Sequence, residues 1–164
     1  MLRVINLSKV YPNGTVALQN VSFEVQNGEF LAVIGLSGSG KSTLLRCINR
    51  LIDPTEGEIW LDDINVTAAK PGDLRQIRRR IGMIFQQFNL VKRSNVITNV
   101  LTGRLGYTPP IWSIGNHFSR ADYEKAMNAL KRVGIPDKAY IRADQLSGGQ
   151  QQRVGIARAL MQDP

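Results

Sequence analysis

The strongest chemical signal in the sequence is "GLSGSGKS", which runs from Gly35 to Ser42 and fits the pattern G-x-x-x-x-G-K-[ST]. A chain of phosphates carries several negative charges, so tight binding needs closely spaced donors and no side chains in the way. The glycines let backbone amides wrap the phosphates, Lys41 supplies a mobile positive charge, and the hydroxyl of Ser42 suits Mg²⁺. We therefore predict a nucleotide phosphate site formed by Gly35, Leu36, Ser37, Gly38, Ser39, Gly40, Lys41, Ser42 and Thr43.

A second glycine-containing stretch, "LSGGQ" from Leu146 to Gln150, precedes the segment "QQRVGIARAL". Ser147 offers a hydroxyl, Gly148 and Gly149 leave their backbone amides bare, and a helix N-terminus follows. The residues predict a second anion site at Ser147, Gly148, Gly149 and Gln150.

These two sites need elements to position them, and the first half of the chain predicts alternating strands and helices. "EFLAVIG", Glu29 to Gly35, is a short apolar run typical of a strand buried in a parallel sheet, and "KSTLLRCINRL" after it has helical spacing. Leu2–Tyr11 and Val16–Val25 are rich in β-branched residues and flank the turn signal "PNG", which predicts a hairpin. Further on we predict a strand at Ile59–Leu61, a basic helical turn at "DLRQIRRR" and a second buried strand at "IGMIF".

The remainder of the chain, from Asn89 to Ala159, predicts mainly helix. Ser119 followed by Asp122 has the spacing of a capping box, which places a helix start there. The predicted helices span Val96–Leu105, Arg120–Val133 and Gln150–Met161.

Composition restricts the class of protein. A chain of 164 residues with 43% hydrophobic residues predicts one globular unit. The apolar run Phe30–Ile34 is far shorter than the roughly 20 residues of a membrane-spanning helix, and the N-terminal sequence lacks the pattern of a secretory signal. Cys47 is the only cysteine, so we expect it to pack in an apolar helix rather than form an internal disulfide or a cysteine metal cluster. We expect a cytosolic location.

Positive charge is concentrated in one part of the chain, although the net charge of the whole is +8. No acidic residue lies between Asp73 and Asp122. This acid-free stretch indicates either a solvated surface or a face that docks to an anionic partner such as lipid headgroups or nucleic acid. Its basic residues are Arg75, Arg78, Arg79, Arg80, Lys92, Arg93, Arg104 and Arg120.

The stretch from Leu146 onward, behind a phosphate loop, resembles the signature motif of ABC-type ATPases, and the similarity extends over essentially the whole chain. "RRRIGMIFQQFNLVKRSNVITNVLTGRLG" and "FSRADYEKAMNALKRVGI" resemble the ATP-binding subunit of phosphonate importers. The resemblance implies an α/β fold, with a P-loop core, an N-terminal antiparallel β subdomain and an inserted helical subdomain. It also implies that residues 1–164 are a single incomplete nucleotide-binding domain, divided into residues 1–88, 89–158 and 159–164.

Roles for individual residues follow from the resemblance. ATP would be held between two copies arranged head to tail, with Ser147, Gly148, Gly149 and Gln150 of one copy facing the phosphate loop of the other. Tyr11 would stack on adenine. Gln86, with Gln87 as its one-residue alternative, would reach Mg²⁺ or the attacking water, so Lys41 and Gln86 are the catalytic candidates and Ser42 and Gln86 the metal ligands.

The resemblance also implies partners and a location. The cofactors would be ATP and Mg²⁺. The protein would lie peripherally at the cytoplasmic face of the membrane, bound to transmembrane permease subunits and linked through them to an extracytoplasmic substrate-binding protein. The acid-free stretch lies where such proteins dock near the headgroups.

The sequence departs from the family at its end. Members continue after a helix like "VGIARALMQDP" with a strand ending in Asp-Glu and later a switch histidine, and neither lies within these residues. The one histidine, His117, precedes the signature, and we interpret it as a surface residue. We expect the C-terminal part of the core to be missing and the chain as written not to hydrolyse ATP.

A soluble ABC ATPase acting on nucleic acid is the alternative. Such proteins carry long coiled-coil or paired-domain insertions, whereas the segment from Gln86 to Leu146 is compact and lacks heptads. We therefore favour the importer and expect no nucleic-acid partner.

Overall fold

The computed structural model describes residues 1–107 and 118–164, and the chain divides into two compact units, Met1–Ile77 and Arg78–Pro164. The prediction that His117 lies on the surface concerns a residue outside the described ranges. Among the described residues, no helix is both long and apolar enough to cross a bilayer.

The sheet of the first unit is antiparallel throughout, with the spatial order β2-β1-β3-β4. The "PNG" turn joins β1 to β2, because the amide of Gly14 donates to the carbonyl of Tyr11 at 2.9 Å. The predicted hairpin and the predicted strand at Ile59–Leu61 are both confirmed. The strands are β1 Leu2–Val10, β2 Val16–Val25, β3 Glu56–Leu61 and β4 Ile64–Asn65.

Helix α1 of the first unit spans Lys41–Ile48 and follows the phosphate loop directly, as predicted. Its inner side buries Leu44 and Cys47. Burial raises the pKa of the Cys47 thiol, which keeps it neutral at physiological pH. The prediction that this cysteine is a packing residue is confirmed.

The two predicted buried strands, "EFLAVIG" and "IGMIF", are wrong for this structure, because neither segment pairs with another strand among residues 1–107 and 118–164. A strand of a parallel sheet satisfies its amides and carbonyls through neighbouring strands, and without such pairing the extended conformation has no ladder to hold it. Phe30 and Ile34, instead of being buried, are 91% and 92% exposed.

The second unit is helical. Helix α2, Pro71–Arg79, contains the boundary between the units and confirms the predicted basic helical turn. Helix α3, Val96–Leu101, ends earlier than predicted because the chain tightens into a 3-10 turn at Thr102–Arg104. The other two predicted helices are confirmed within two residues at each end as α4, Arg120–Arg132, and α5, Gly148–Leu160. Two further 3-10 turns, Pro136–Lys138 and Ala143–Gln145, lie between them.

A single apolar cluster holds α3, α4 and α5 together. Val100, Leu130 and Val154, one residue from each helix, have no exposed surface. The other buried members are Val96, Ile97, Leu101, Ala126, Ala129, Ile135, Ala139, Leu146, Ala157 and Met161. Because Leu146 belongs to this cluster, the residue that precedes the second glycine stretch is fixed to the helical core.

Candidate functional site

In the phosphate loop the lysine bends back over its own loop. The ammonium of Lys41 donates to the carbonyl oxygens of Gly35 at 2.7 Å and Leu36 at 2.6 Å, and to the hydroxyl of Ser39 at 3.2 Å. All three acceptors belong to the predicted site, so the loop is already curled around a positive charge at its centre. An oxyanion with the same acceptor chemistry can take the place of these oxygens.

The start of α1 is built for an anion rather than for a side-chain cap. Gly40 is the N-cap residue, with φ 85°, and it makes no side-chain hydrogen bond to the helix. The first turn also contains no acidic residue. The positive end of the helix dipole and the first amides of α1 therefore point into the loop beside Lys41 and Ser42, which is the arrangement that binds phosphate.

Gly40 admits no other residue in this position. A Cβ atom there would lie 2.2 Å from the backbone carbonyl oxygen of Ala17 in β2. Positive φ adds strain for any side chain. The loop can thus approach the hairpin closely only because residue 40 is glycine.

Tyr11, the predicted adenine-stacking residue, is half-buried beside the same helix. Its hydroxyl lies 3.3 Å from the Oγ1 of Thr43. The ammonium of Lys9 lies 5.5 Å from the centre of the tyrosine ring. The structure therefore brings Tyr11 together with one residue of the phosphate loop, in the first unit of the chain.

The second predicted anion site forms the N-terminus of α5. Ser147 is the N-cap, and its hydroxyl accepts from the amide of Gln150 at 3.4 Å, while the Gln150 side chain accepts from the amide of Ser147 at 2.9 Å. A hydroxyl that accepts one bond still carries a hydrogen to donate. Gly148 and Gly149 are exposed, and a Cβ atom at either would contact nothing within 4 Å. The surface above these glycines is open to an approaching ligand.

An open pocket of about 360 Å³ adjoins this helix start. It is lined by Ser147, Gly149, Gln150, Gly134, Ile135, Asp137, Lys138 and Arg153. Lys138 and Arg153 were not predicted. The ammonium of Lys138 lies 2.9 Å from the carboxylate of Asp137, so Arg153 is the cation of this lining that no carboxylate of the lining pairs with. Arg153 could have been predicted near this site, because a residue one helical turn after Gln150 lies on the same face of the helix. Lys138 could not, because it reaches the pocket only through the fold of the 136–138 turn.

Gln86 and Gln87 are exposed and stand at the centre of a turn. The amide of Phe88 closes the turn by donating to the carbonyl of Phe85 at 3.0 Å. Arg158, which was not predicted, contacts the end of this turn: its guanidinium donates to the carbonyls of Phe88 and Asn89 at 2.6 and 2.8 Å. Burial lowers the pKa of Arg158, although a guanidinium remains charged at neutral pH.

The predicted residues therefore form two sets. Tyr11 and the phosphate loop lie in the first unit, while Gln86 and the residues from Ser147 to Gln150 lie in the second. In the part of the chain that the structure describes, no three His, Cys, Asp or Glu side chains cluster to hold a metal ion. Ser42 is an exposed residue in the first turn of α1, and a hydroxyl has the chemistry of a Mg²⁺ ligand beside phosphate.

Comparison with known proteins identifies relatives along the whole chain. The profile of the ABC transporter family matches residues 18–164. The phosphonates import ATP-binding protein PhnC of Lactobacillus johnsonii is 59% identical over 100% of this chain and 65% of its own length. The protein of that name from Shouchella clausii is 57% identical over 100% of this chain and 62% of its own. The chain thus spans slightly under two thirds of the length of these curated relatives.

Solved structures agree with this assignment. The ATP-binding cassette MJ0796, solved as a dimer in a post-hydrolysis state with ADP and Pi, matches with a TM-score of 0.88 and 38% identity, over 100% of this chain and 71% of its own. The protein cbiO1 of Clostridium perfringens, part of the ABC transporter complex cbiONQ, matches with a TM-score of 0.79 and 31% identity, over 99% of this chain and 62% of its own. The predicted α/β P-loop fold of the ABC type is confirmed, and the chain belongs to the ABC transporter family.

Proposed function

We propose that the chain is part of the ATP-binding and ATP-hydrolysing motor subunit of an importer for phosphonates. The observation that supports this most directly is the phosphate loop, in which the ammonium of Lys41 donates to three loop oxygens beside the uncapped start of α1. The names of the relatives that match the whole chain support the substrate class.

In this proposal the residues of the chain bind and orient the nucleotide. Tyr11 would stack on the adenine, the loop amides and Lys41 would hold the phosphates, and Ser42 and Gln86 would be the ligands of Mg²⁺. When bound, this ion would supply charge neutralisation at the phosphates. Ser147, Gly148, Gly149 and Gln150 contact the phosphates bound to a second copy, arranged head to tail. Hydrolysis needs an Asp-Glu pair that, by family resemblance, lies outside these residues.

The proposal extends to partners and location. The subunit binds transmembrane permease subunits at the cytoplasmic face of the membrane, and an extracytoplasmic substrate-binding protein delivers the ligand to them. Part of the acid-free stretch is used within the chain, since the guanidinium carbons of Arg79 and Arg104 lie 4.5 and 4.0 Å from the centre of the Tyr107 ring. The remaining exposed cations of the stretch, such as Lys92 and Arg93, face the headgroups.

The test uses the full-length protein that carries this sequence. We expect Lys41→Ala to weaken Mg-ATP binding by roughly 100-fold or more, since a charged donor to phosphate is lost. Lys70→Ala, an exposed lysine of the same unit, is the matched control and should bind normally. Calorimetric titration measures both, and unchanged affinity of the Lys41 variant would overturn the phosphate-loop assignment.

The substrate class is tested in cells that lack the gene. The wild-type gene and the Lys70→Ala variant should restore growth on a phosphonate as the sole phosphorus source, whereas Lys41→Ala should not. All strains should grow equally on phosphate. Growth of the deletion strain on the phosphonate would exclude that substrate, and a salt-dependent shift of duplex DNA by the purified protein at physiological ionic strength would favour the nucleic-acid alternative.

A further inference from the structure

The backbone that follows the two glutamines bends twice within five residues. The amide of Phe88 donates to the carbonyl of Phe85 at 3.0 Å and closes the first turn. The amide of Asn89 then donates to the carbonyl of Gln87 at 2.5 Å and closes the second. Phe88 and Asn89 have φ values of 54° and 48°, a region that residues with side chains seldom adopt. Two consecutive residues in this region persist only where their surroundings hold them. We call residues 85–89 the glutamine turn.

Arg158, in the last turn of α5, is the side chain that holds the glutamine turn. One Nη atom donates to the carbonyl of Phe88 at 2.6 Å and the other to the carbonyl of Asn89 at 2.8 Å. The planar fork of a guanidinium matches two adjacent oxygens, which a lysine ammonium cannot do with the same geometry. The side chain is half-buried, so water competes less for these two bonds.

The backbone of Arg158 and the residues that follow the glutamine turn are both held in place by close contacts. A Cβ atom at Gly103 would lie 2.2 Å from the backbone oxygen of Arg158, so α5 is pressed against the turn after α3. Beyond the glutamine turn, Val91 is held by the side chain of Asn99, which is 1% exposed. The Asn99 side chain accepts from the amide of Val91 at 2.7 Å and donates to the carbonyl of Val91 at 3.2 Å. The segment from Phe88 to Val91 therefore follows the helical unit rather than moving independently.

Helix α5 connects Arg158 to the second predicted anion site. Ser147 caps its first turn, and Arg158 lies eleven residues further along the same helix. At 1.5 Å per residue the two are about 16 Å apart along a rigid rod. We propose that Arg158 is a positioning residue that couples the glutamine turn to α5, so that phosphate contact at Ser147 and the glycines shifts Gln86 with the helix. This inference rests on the proposed function, because it assigns Gln86 its role at Mg²⁺ or water.

The first test measures the coupling without activity. In the full-length protein, Arg158→Lys keeps the charge and loses the planar fork, and Arg158→Gln removes the charge and leaves one donor nitrogen on a shorter side chain. We expect hydrogen exchange in peptides covering residues 85–91 to accelerate about tenfold in both variants. Arg132→Lys, an exposed arginine on α4, is the matched control and should leave exchange unchanged. If exchange in these peptides is unchanged in whichever Arg158 variant folds, the proposal is wrong.

The second test separates positioning from stability. We expect Arg158→Lys to lower kcat for ATP about tenfold and to raise the Mg²⁺ concentration needed for half-maximal rate, because Gln86 is less well oriented, while KM for ATP stays nearly constant. A merely structural role would lower the melting temperature and the active fraction without changing the Mg²⁺ requirement.

Gln86→Ala distinguishes the two ways in which the idea can fail. If Gln86→Ala lowers kcat and Arg158→Lys does not, the coupling through Arg158 is wrong while the proposed function stands. If Gln86→Ala retains full kcat, the role of Gln86 in the proposed function is wrong, and the coupling fails with it.

Discussion

At the scale of single residues, the phosphate loop depends on close approaches that only particular residues allow. Lys41 donates to three oxygens of its own loop, so a phosphate at the proposed site would compete with these internal hydrogen bonds. In the proposed site, exchanging these hydrogen bonds for a stronger set of charged ones would favour multiply charged anions. Gly40 provides the second close approach, at the carbonyl of Ala17.

A substitution at Gly40 tests this approach. We expect Gly40→Ala to destabilise the full-length protein by about 3 kcal/mol, which combines the strain of positive φ with displacement of the β2 backbone. Gly14→Ala is the matched control, since Gly14 has φ 81° but nothing within 4 Å of a Cβ atom, and should cost about 1 kcal/mol. Urea unfolding measures both, and equal losses would show that strain alone matters at residue 40.

At the scale of elements, the helices differ in how their N-termini are satisfied. Helices α4 and α5 both begin with capping boxes, formed by Ser119 with Asp122 and by Ser147 with Gln150. Helix α1 has neither a side-chain cap nor an acidic residue in its first turn. At the proposed phosphate loop, α1 thus keeps its first amides available, whereas the first turns of α4 and α5 are satisfied in part by their own capping residues.

The capping box of α4 predicts a pH dependence. Burial by itself would raise the pKa of Asp122, but hydrogen bonds from Ser119 and Arg104 outweigh it, so the pKa lies below its usual value. A lowered pKa contributes stability above the unfolded value of about 3.9, and this contribution is lost as the pH falls through the folded value.

We therefore expect Asp122→Asn to cost roughly 1 kcal/mol at pH 7, with the difference in unfolding free energy from wild type shrinking as the pH falls below the unfolded pKa of about 3.9. Glu124→Gln, whose partner Arg120 is 94% exposed, is the control and should cost almost nothing at either pH. Urea unfolding across this pH range is the measurement. If the difference in unfolding free energy between Asp122→Asn and wild type stays constant with pH, the lowered pKa of Asp122 does not stabilise the fold.

At the scale of the whole molecule, each compact unit carries a different part of the predicted nucleotide site. The first contains Tyr11 and the phosphate loop, and the second contains the glutamine turn and the glycines at the start of α5. In the proposed dimer, ATP at the phosphate loop of one copy meets Ser147 of the other. Binding by one copy and association of two copies are then separable steps.

A substitution at Ser147 separates these steps. We expect Ser147→Arg in the full-length protein to leave ATP binding by the monomer within about twofold of wild type and to stop ATP-dependent dimerisation, because the new side chain covers the open glycines. Ser119→Ala removes the corresponding cap of α4 and controls for loss of capping alone. Light scattering with and without Mg-ATP measures association, and a normal dimer of the Ser147 variant would count against the shared site.

Much of the fold and the site could be predicted from local sequence. The hairpin followed from the "PNG" turn between β-branched runs, and α4 and α5 followed from their caps and apolar spacing. The phosphate loop and its placement before α1 were also predicted, because a helix start that binds phosphate needs glycines, a lysine and a hydroxyl in fixed order.

Tertiary structure decided what local sequence does not encode. An apolar run such as Glu29–Gly35 becomes a strand only when neighbouring strands satisfy its backbone, so the chain leaves Ile34 exposed despite a strand-like sequence. Likewise, Arg158 looked like one more basic residue of a helix, since its acceptors lie 69 and 70 positions away in the chain. Sequence therefore determined the phosphate-loop motif, its place before α1 and most helices, while long-range contacts decided which strands formed and which arginine holds the glutamine turn.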